Sequence, residues 1–188
     1  MPQNIYKLLI ITLVLVSCSG NKEQSVEDLI ATDNLEAIHK KKDELVLALV
    51  KELELRKDKF KNQIIEMIYF GGGTPSLLTN DQLSLLIDSV YKNYKVSKNP
   101  EITLEANPDD LVSVRAQSRT IFEDYLNLGI NRLSIGIQSF FEADLKLMNR
   151  AHNALEAKHC LEEATRLFEN ITIDLVKLLK LQLKKSYL

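Results

Sequence analysis

Apolar residues along this chain fall into short β-type runs separated by stretches with a helical period. Ile64 to Phe70 is β-prone and is stopped by Gly71-Gly72-Gly73-Thr74-Pro75, so the sequence predicts a strand entering a glycine loop. Asn80 to Tyr94 carries Leu83, Leu86, Ile87 and Val90 at helical spacing. Glu101 to Ala106 reads as a second strand, with Pro100 at its start and the turn-type cluster Asn107-Pro108-Asp109-Asp110 at its end. A helix from about Thr120 to Leu128 is expected to stop at Gly129. Asn131 to Ile137 alternates as a third strand, helical sequence follows around Ala143 to Met148 and Ala154 to Phe168, and Ile171 to Leu175 is a fourth strand. Upstream, Asp33 with Glu36 three residues on resembles a capping box. The helix it opens runs to about Lys59, with Val46, Leu49, Val50 and Leu53 as the buried stripe of an ordinary surface helix.

Strands separated by helices of this length form parallel βαβ units, so the fold class is α/β. Periodicity alone leaves an open sheet and part of a barrel equally possible. The 188 residues are 45% apolar, enough for a core. Net charge is -2 with both signs interspersed, which argues against a nucleic-acid face.

The N-terminus has a different character. Lys7 precedes an apolar run from Leu8 to Val16, interrupted only by Thr12, too short for a membrane span and of signal-peptide length. It ends in Leu15-Val16-Ser17-Cys18, which resembles a bacterial lipobox with Cys18 as the lipidated residue. The competing reading is a buried apolar strand or short helix with an incidental cysteine. On the first reading the chain divides into a signal segment (1–18), a linker and helix start (19–42), the α/β body (43–176) and a Lys- and Leu-rich tail (177–188).

The candidate chemistry sits at strand ends. Three consecutive glycines let a backbone approach a ligand, yet neither P-loop nor dinucleotide-fingerprint spacing is present. Glu105 closes the second strand, Gln138-Ser139 the third, and Asp174 lies near the end of the fourth. In parallel α/β folds that rim binds ligands, although such residues also cap helices. His152, His159 and Cys160 lack a fourth metal ligand, and no Ser-His-Asp order with a nucleophile elbow occurs.

Ile68-Tyr69-Phe70-Gly71-Gly72-Gly73-Thr74-Pro75-Ser76, Leu104-Glu105-Ala106-Asn107-Pro108, the segment from Gly129 to Phe140, and Leu147-Met148-Asn149-Arg150-Ala151-His152 follow one another in order. Together they resemble the HemW/HemN group of radical S-adenosylmethionine (SAM) proteins, the oxygen-independent coproporphyrinogen III oxidases and related haem chaperones, with the chaperone branch the nearer. The resemblance implies a partial (β/α)6 barrel, incomplete at both ends and preceded by the signal- or lipoprotein-like helical segment. It implies cofactor contacts from Gly72, Gly73 and Thr74 to the methionine end of SAM, and from Glu105, Gln138, Arg150 and Asp174 to its ribose and amino-acid portions. A haem or porphyrin partner and a cytoplasmic location follow by the same resemblance.

Departures from the family pattern weigh as much. The family holds a 4Fe–4S cluster with a Cys-x3-Cys-x2-Cys motif upstream of the glycine loop, and such clusters require thiolates. This sequence has two cysteines, Cys18 and Cys160, neither in such a motif. The cluster is therefore expected to be absent, and no residue is assigned a catalytic role. After Asp174 the family pattern also stops, at Leu175-Val176-Lys177-Leu178. Residues 1–42 separately resemble the start of efflux-pump adaptor lipoproteins, through the lipobox and Gln24 to Thr32. Two functions compete: a radical SAM-derived body without catalysis, and a lipoprotein tethered to the membrane through Cys18 that uses the barrel remnant as a binding or structural module.

Overall fold

The computed structural model describes residues 8–12, 35–72, 74–111 and 120–176. Among these residues five strands lie side by side in chain order, β1 (Leu8–Thr12), β2 (Ile64–Gly71), β3 (Lys95–Ala106), β4 (Arg132–Gln138) and β5 (Asn170–Leu175), and every pairing is parallel. Parallel neighbours need crossovers, and helices supply them. These are α1 (Leu35–Arg56), α2 (Asn80–Asn93), the single turn α3 (Pro108–Leu111), α4 (Ile121–Asn127), α5 (Glu142–Leu147) and α6 (Ala154–Leu167).

Side-chain alternation gives the sheet two different faces. Ile68 and Phe70 of β2, Leu104 of β3 and Leu133, Ile135 and Ile137 of β4 are all fully buried and form the core with the helices. Each such side chain contributes roughly 1.5–3 kcal/mol on leaving water. The alternate positions, Tyr69, Thr103, Glu105, Arg132, Ser134 and Thr172, are polar. Arg132 ties three strands on that face, through Glu101 (3.3 Å), Thr103 (3.3 Å) and Thr172 (2.8 Å).

Local sequence explains the element ends. Thr79 caps α2 and Gln82 returns the bond to the Thr79 backbone N–H; Thr120 and Glu123 do the same for α4, and Asn153 and Glu156 for α6. At the end of α4 the Ile130 N–H reaches the Tyr125 carbonyl (3.0 Å) and Gly129 reaches Leu126 (2.9 Å), a Schellman closure in which Gly129 takes φ 86°. The helix expected from Asp33 is observed from Leu35 to Arg56, followed by a 3-10 turn, Lys57–Phe60; Asp33 lies outside the described residues. β3 begins earlier than expected, at Lys95, and accommodates Pro100 in a register irregularity opposite Ile65–Met67. There the Asn131 side chain substitutes for ladder partners, accepting from the Ile102 N–H (2.8 Å) and donating to the Pro100 carbonyl (2.8 Å).

The largest correction concerns the N-terminus. The run expected to be a signal- or lipoprotein-like helix instead contributes β1, with Leu8 opposite Met67 and Thr12 opposite Gly71. A barrel incomplete at its N-terminal side, without a strand beside β2, is therefore not what is observed. The physical reason is that β2 presents a parallel edge whose backbone groups must be paired, and a short apolar run meets that need. Cys18, the expected lipidation residue, lies outside the described residues.

Candidate functional site

A polar cleft of about 150 Å³ opens at the C-terminal rim of β2 to β5. The loop after β2 supplies Thr74 and Pro75, β3 supplies Glu105 and Ala106 with Asn107 just beyond, β4 supplies Ser134, Gly136 and Gln138, and β5 supplies Asp174. Four of the seven residues expected at a cofactor site, Thr74, Glu105, Gln138 and Asp174, thus come together. Gly72 is joined to them by its backbone N–H, which donates to Oε2 of Glu105 at 3.0 Å, with φ 73°. Gly73 lies outside the described residues.

Glu105 organises the cleft. Its Oε1 accepts from the Tyr69 hydroxyl at 2.6 Å while Oε2 accepts from Gly72, so one carboxylate fixes both β2 and the glycine loop. Burial, and then the adjacent Glu105 carboxylate, raise the Tyr69 phenol above its ordinary pKa. Next to this pair, Ser76 Oγ donates to Asp110 Oδ2 at 2.6 Å, tying the loop after β2 to α3. Burial raises the Asp110 carboxyl.

Arg150 is positioned differently from the expectation. It does not line the cleft; it stands behind it, its Nη2 donating to Asn107 Oδ1 at 2.8 Å and approaching the Gly136 carbonyl at 3.4 Å. Its Nε is buried and has no hydrogen-bond partner. The helix end that presents it is a second Schellman closure, in which Asn149 at φ 51° donates to Lys146 (3.1 Å) and Arg150 to Leu145 (3.0 Å). Asparagine tolerates that left-handed conformation better than most residues.

β4 ends in a strained turn. Gln138 has φ 65°, and across it the Ser139 N–H donates to the Ile137 carbonyl at 2.8 Å, the three-residue γ-type closure. The Gln138 carbonyl accepts from the Val176 N–H at 2.8 Å, which anchors the turn to the end of β5. Gly136 makes room for it: a Cβ there would stand 3.1 Å from both Asn107 Oδ1 and Gln138 Nε2.

Asn107, Ser134, Gly136 and His152 were not singled out from the sequence as site residues. The alternation of β4 carried the signal for Ser134 and Gly136, which sit four and two residues before Gln138 on the same face. Cys160 is fully buried in α6, where burial pushes its thiol up to about 12. Among the described residues no group of three or more His, Cys, Asp or Glu side chains is arranged to hold a metal ion.

The family described as "Radical SAM superfamily" matches residues 23–182. The heme chaperone HemW of Buchnera aphidicola subsp. Acyrthosiphon pisum (strain APS) is 38% identical over 128 residues, covering 68% of this chain and 32% of that protein. HemW of Escherichia coli (strain K12) is 36% identical over 135 residues, 71% of this chain and 34% of that protein. Among solved structures, the radical SAM enzyme coproporphyrinogen III oxidase (HemN) of Escherichia coli aligns with a TM-score of 0.62 and 25% identity, over 90% of this chain and 36% of that one. The chain spans about a third of the length of these relatives. None of them supports the efflux-adaptor resemblance of residues 1–42.

Proposed function

Because the chain belongs to the radical SAM superfamily, in its HemW/HemN-like branch, we propose that it is a haem-chaperone-related barrel segment that keeps the adenosylmethionine side of the family's cofactor pocket without the means to fire it. The observation that carries this reading is the mismatch between two donor sets. The cleft offers carboxylates, amides and hydroxyls, which suit a ribose and an amino-acid group. The cluster needs thiolates, and the one described thiol is Cys160, buried in α6.

The residues present fit SAM in chemical type. Glu105 and Asp174 would accept from hydroxyl or ammonium groups, Gln138 and Thr74 would offer neutral polar contacts, and Arg150 would act on a carboxylate through Asn107. When bound beside a reduced cluster, SAM supplies a 5′-deoxyadenosyl radical in this family. The residues of this chain do not fit the cluster, so no step is derived through it. Without an iron to chelate SAM's amino and carboxylate groups, binding is expected to be weak.

The deciding experiment is anaerobic reconstitution with iron and sulfide, followed by a search for 5′-deoxyadenosine after addition of SAM and a reductant. No stoichiometric cluster and no cleavage product are expected. A cluster that persists in Cys160→Ala and cleaves SAM would overturn the reading. Haem or porphyrin is proposed as the partner on the strength of the HemW relatives, with a cytoplasmic location, and absorbance titration with haem tests the partner.

The alternative, a lipoprotein tethered through Cys18, rests on the lipobox pattern. The pairing of Leu8–Thr12 with β2 counts against it, since those residues cannot serve both as a strand and as a signal core. Palmitate labelling with fractionation separates the two: a labelled, membrane-bound product favours the tether.

A further inference from the structure

Asn107 stands between β3 and the single turn α3, a place where an asparagine side chain ordinarily accepts from the first N–H groups of the helix. Here the side chain is used otherwise. The Asp110 N–H is taken by the Asn107 backbone carbonyl at 3.1 Å, and Oδ1 turns to Arg150, accepting from Nη2 at 2.8 Å. Oδ1 also lies against Gly136, 3.1 Å from where a Cβ would stand, so the missing side chain leaves it room. A guanidinium only donates, which fixes the amide: its oxygen faces Arg150 and its Nδ2 faces away. Among the described residues Nδ2 has no hydrogen-bond partner, and it is open to the cleft that Asn107 lines.

The guanidinium behind it lacks a counter-charge. Among the described residues Arg150 forms no ion pair; its acceptors are the Asn107 amide and the Gly136 carbonyl, both neutral, and its Nε is buried without a partner. Charges drawn out of water are normally paired, so this cation points to an anion at the site. The Nη2 bond also polarises the amide and makes its N–H2 a stronger donor. Glu105 and Asp174 suit ammonium and hydroxyl groups, whereas Asn107, with the Arg150 charge at its back, suits a carboxylate. We propose that Asn107 is a specificity-determining residue whose Nδ2 amide receives the carboxylate of a small amino-acid-type ligand. Arg150 is a positioning residue that sets the direction of that amide from behind without touching the ligand. The inference rests on the reading of the cleft as the adenosylmethionine side of the pocket for the amino-acid part of the ligand only.

The test is nuclear magnetic resonance on the full chain, following the Asn107 side-chain N–H2 signals and the backbone amides of Ser134 and Gly136 during millimolar titrations. Methionine and SAM should move the Asn107 signals saturably. Methioninol and methylthioadenosine, which lack the carboxylate, should leave them in place. Asn107→Asp keeps an acceptor for Arg150 but replaces the donor with a negative oxygen; it should unfold no earlier than wild type and bind methionine roughly tenfold more weakly, the loss of a hydrogen bond to a charged group. Arg150→Leu should weaken methionine binding without changing the response to methioninol, and Arg150→Lys, which restores a donor, should recover part of it. Equal responses to methionine and methioninol, no response of the Asn107 signals to either, or undiminished methionine binding in Asn107→Asp would overturn the proposal. SAM that moves the Ser134 and Gly136 amides but not the Asn107 side chain would sink this inference and leave the SAM reading standing. A carboxylate-dependent response to methionine, with none anywhere to methylthioadenosine, would support the inference and remove the adenosine half of that reading.

Discussion

The Tyr69 hydroxyl donates to Oε1 of Glu105 at 2.6 Å, across the β2–β3 pairing and directly beneath the Gly72 N–H that occupies the other carboxylate oxygen. This contact couples the stability of the sheet to the shape of the cleft. Tyr69→Phe is expected to destabilise the protein by about 1.5 kcal/mol, the lower range for a hydrogen bond to a charged group. Denaturant unfolding at neutral pH measures it.

The same contact has a pH signature. The Tyr69 phenol is raised in the folded state by burial and by the Glu105 carboxylate, so its stabilising effect is complete below the unfolded tyrosine value of about 10 and is lost as pH climbs through the higher folded value. Alkaline unfolding should therefore be less steep in Tyr69→Phe than in wild type. Equal slopes would show that the phenol is not part of the linkage.

Gly136→Ala tests the crowding at the cleft floor. The new methyl would lie 3.1 Å from Asn107 Oδ1 and Gln138 Nε2, so both amides must move. A loss of roughly 1–3 kcal/mol is expected, as for overpacking elsewhere. Thermal unfolding gives the sign directly.

Calorimetry with SAM should detect no micromolar binding to the chain. Micromolar binding that disappears in Glu105→Ala would instead establish a SAM site that works without a cluster.

Removing residues 1–18 strips β1 from the sheet and bares the edge of β2 from Met67 to Gly71. Open apolar edges template association, so the shortened protein should oligomerise where the full chain does so less. Light scattering on the two proteins at matched concentration decides it. A monodisperse shortened monomer would mean that β1 contributes nothing to solubility.

Most of the fold was legible because periodicity and punctuation agreed. α2, α4 and α6 each start at a side chain that caps and continue with a residue that returns the bond, and both signals are local. β1 was misread because its four consecutive apolar residues, Leu8 to Ile11, carry no period, and such a run suits a signal core as well as a buried strand. Only its pairing with β2 distinguishes them, and pairing is a long-range fact. At the site, strand alternation and the resemblance placed Glu105, Gln138 and Asp174 on one rim. They did not reveal that Arg150 stands one layer back, because that depends on a turn at Asn149 with φ 51°. Nor did they reveal His152 as a contact of β4, since its partners Ile137 and Asp109 are 15 and 43 residues away.

The strand order β1-β2-β3-β4-β5 repeats the order of the chain, and this bears on how the sheet is assembled. No strand has to be threaded between two that are already paired, so each βα unit can dock on the last one as it leaves the ribosome. A nascent chain that has reached Ala106 already holds every partner that β2 will have, and one that has reached Gln138 holds every partner of β3. Growth is by accretion at one edge. Interruption at any point leaves a smaller sheet with its earlier pairings complete.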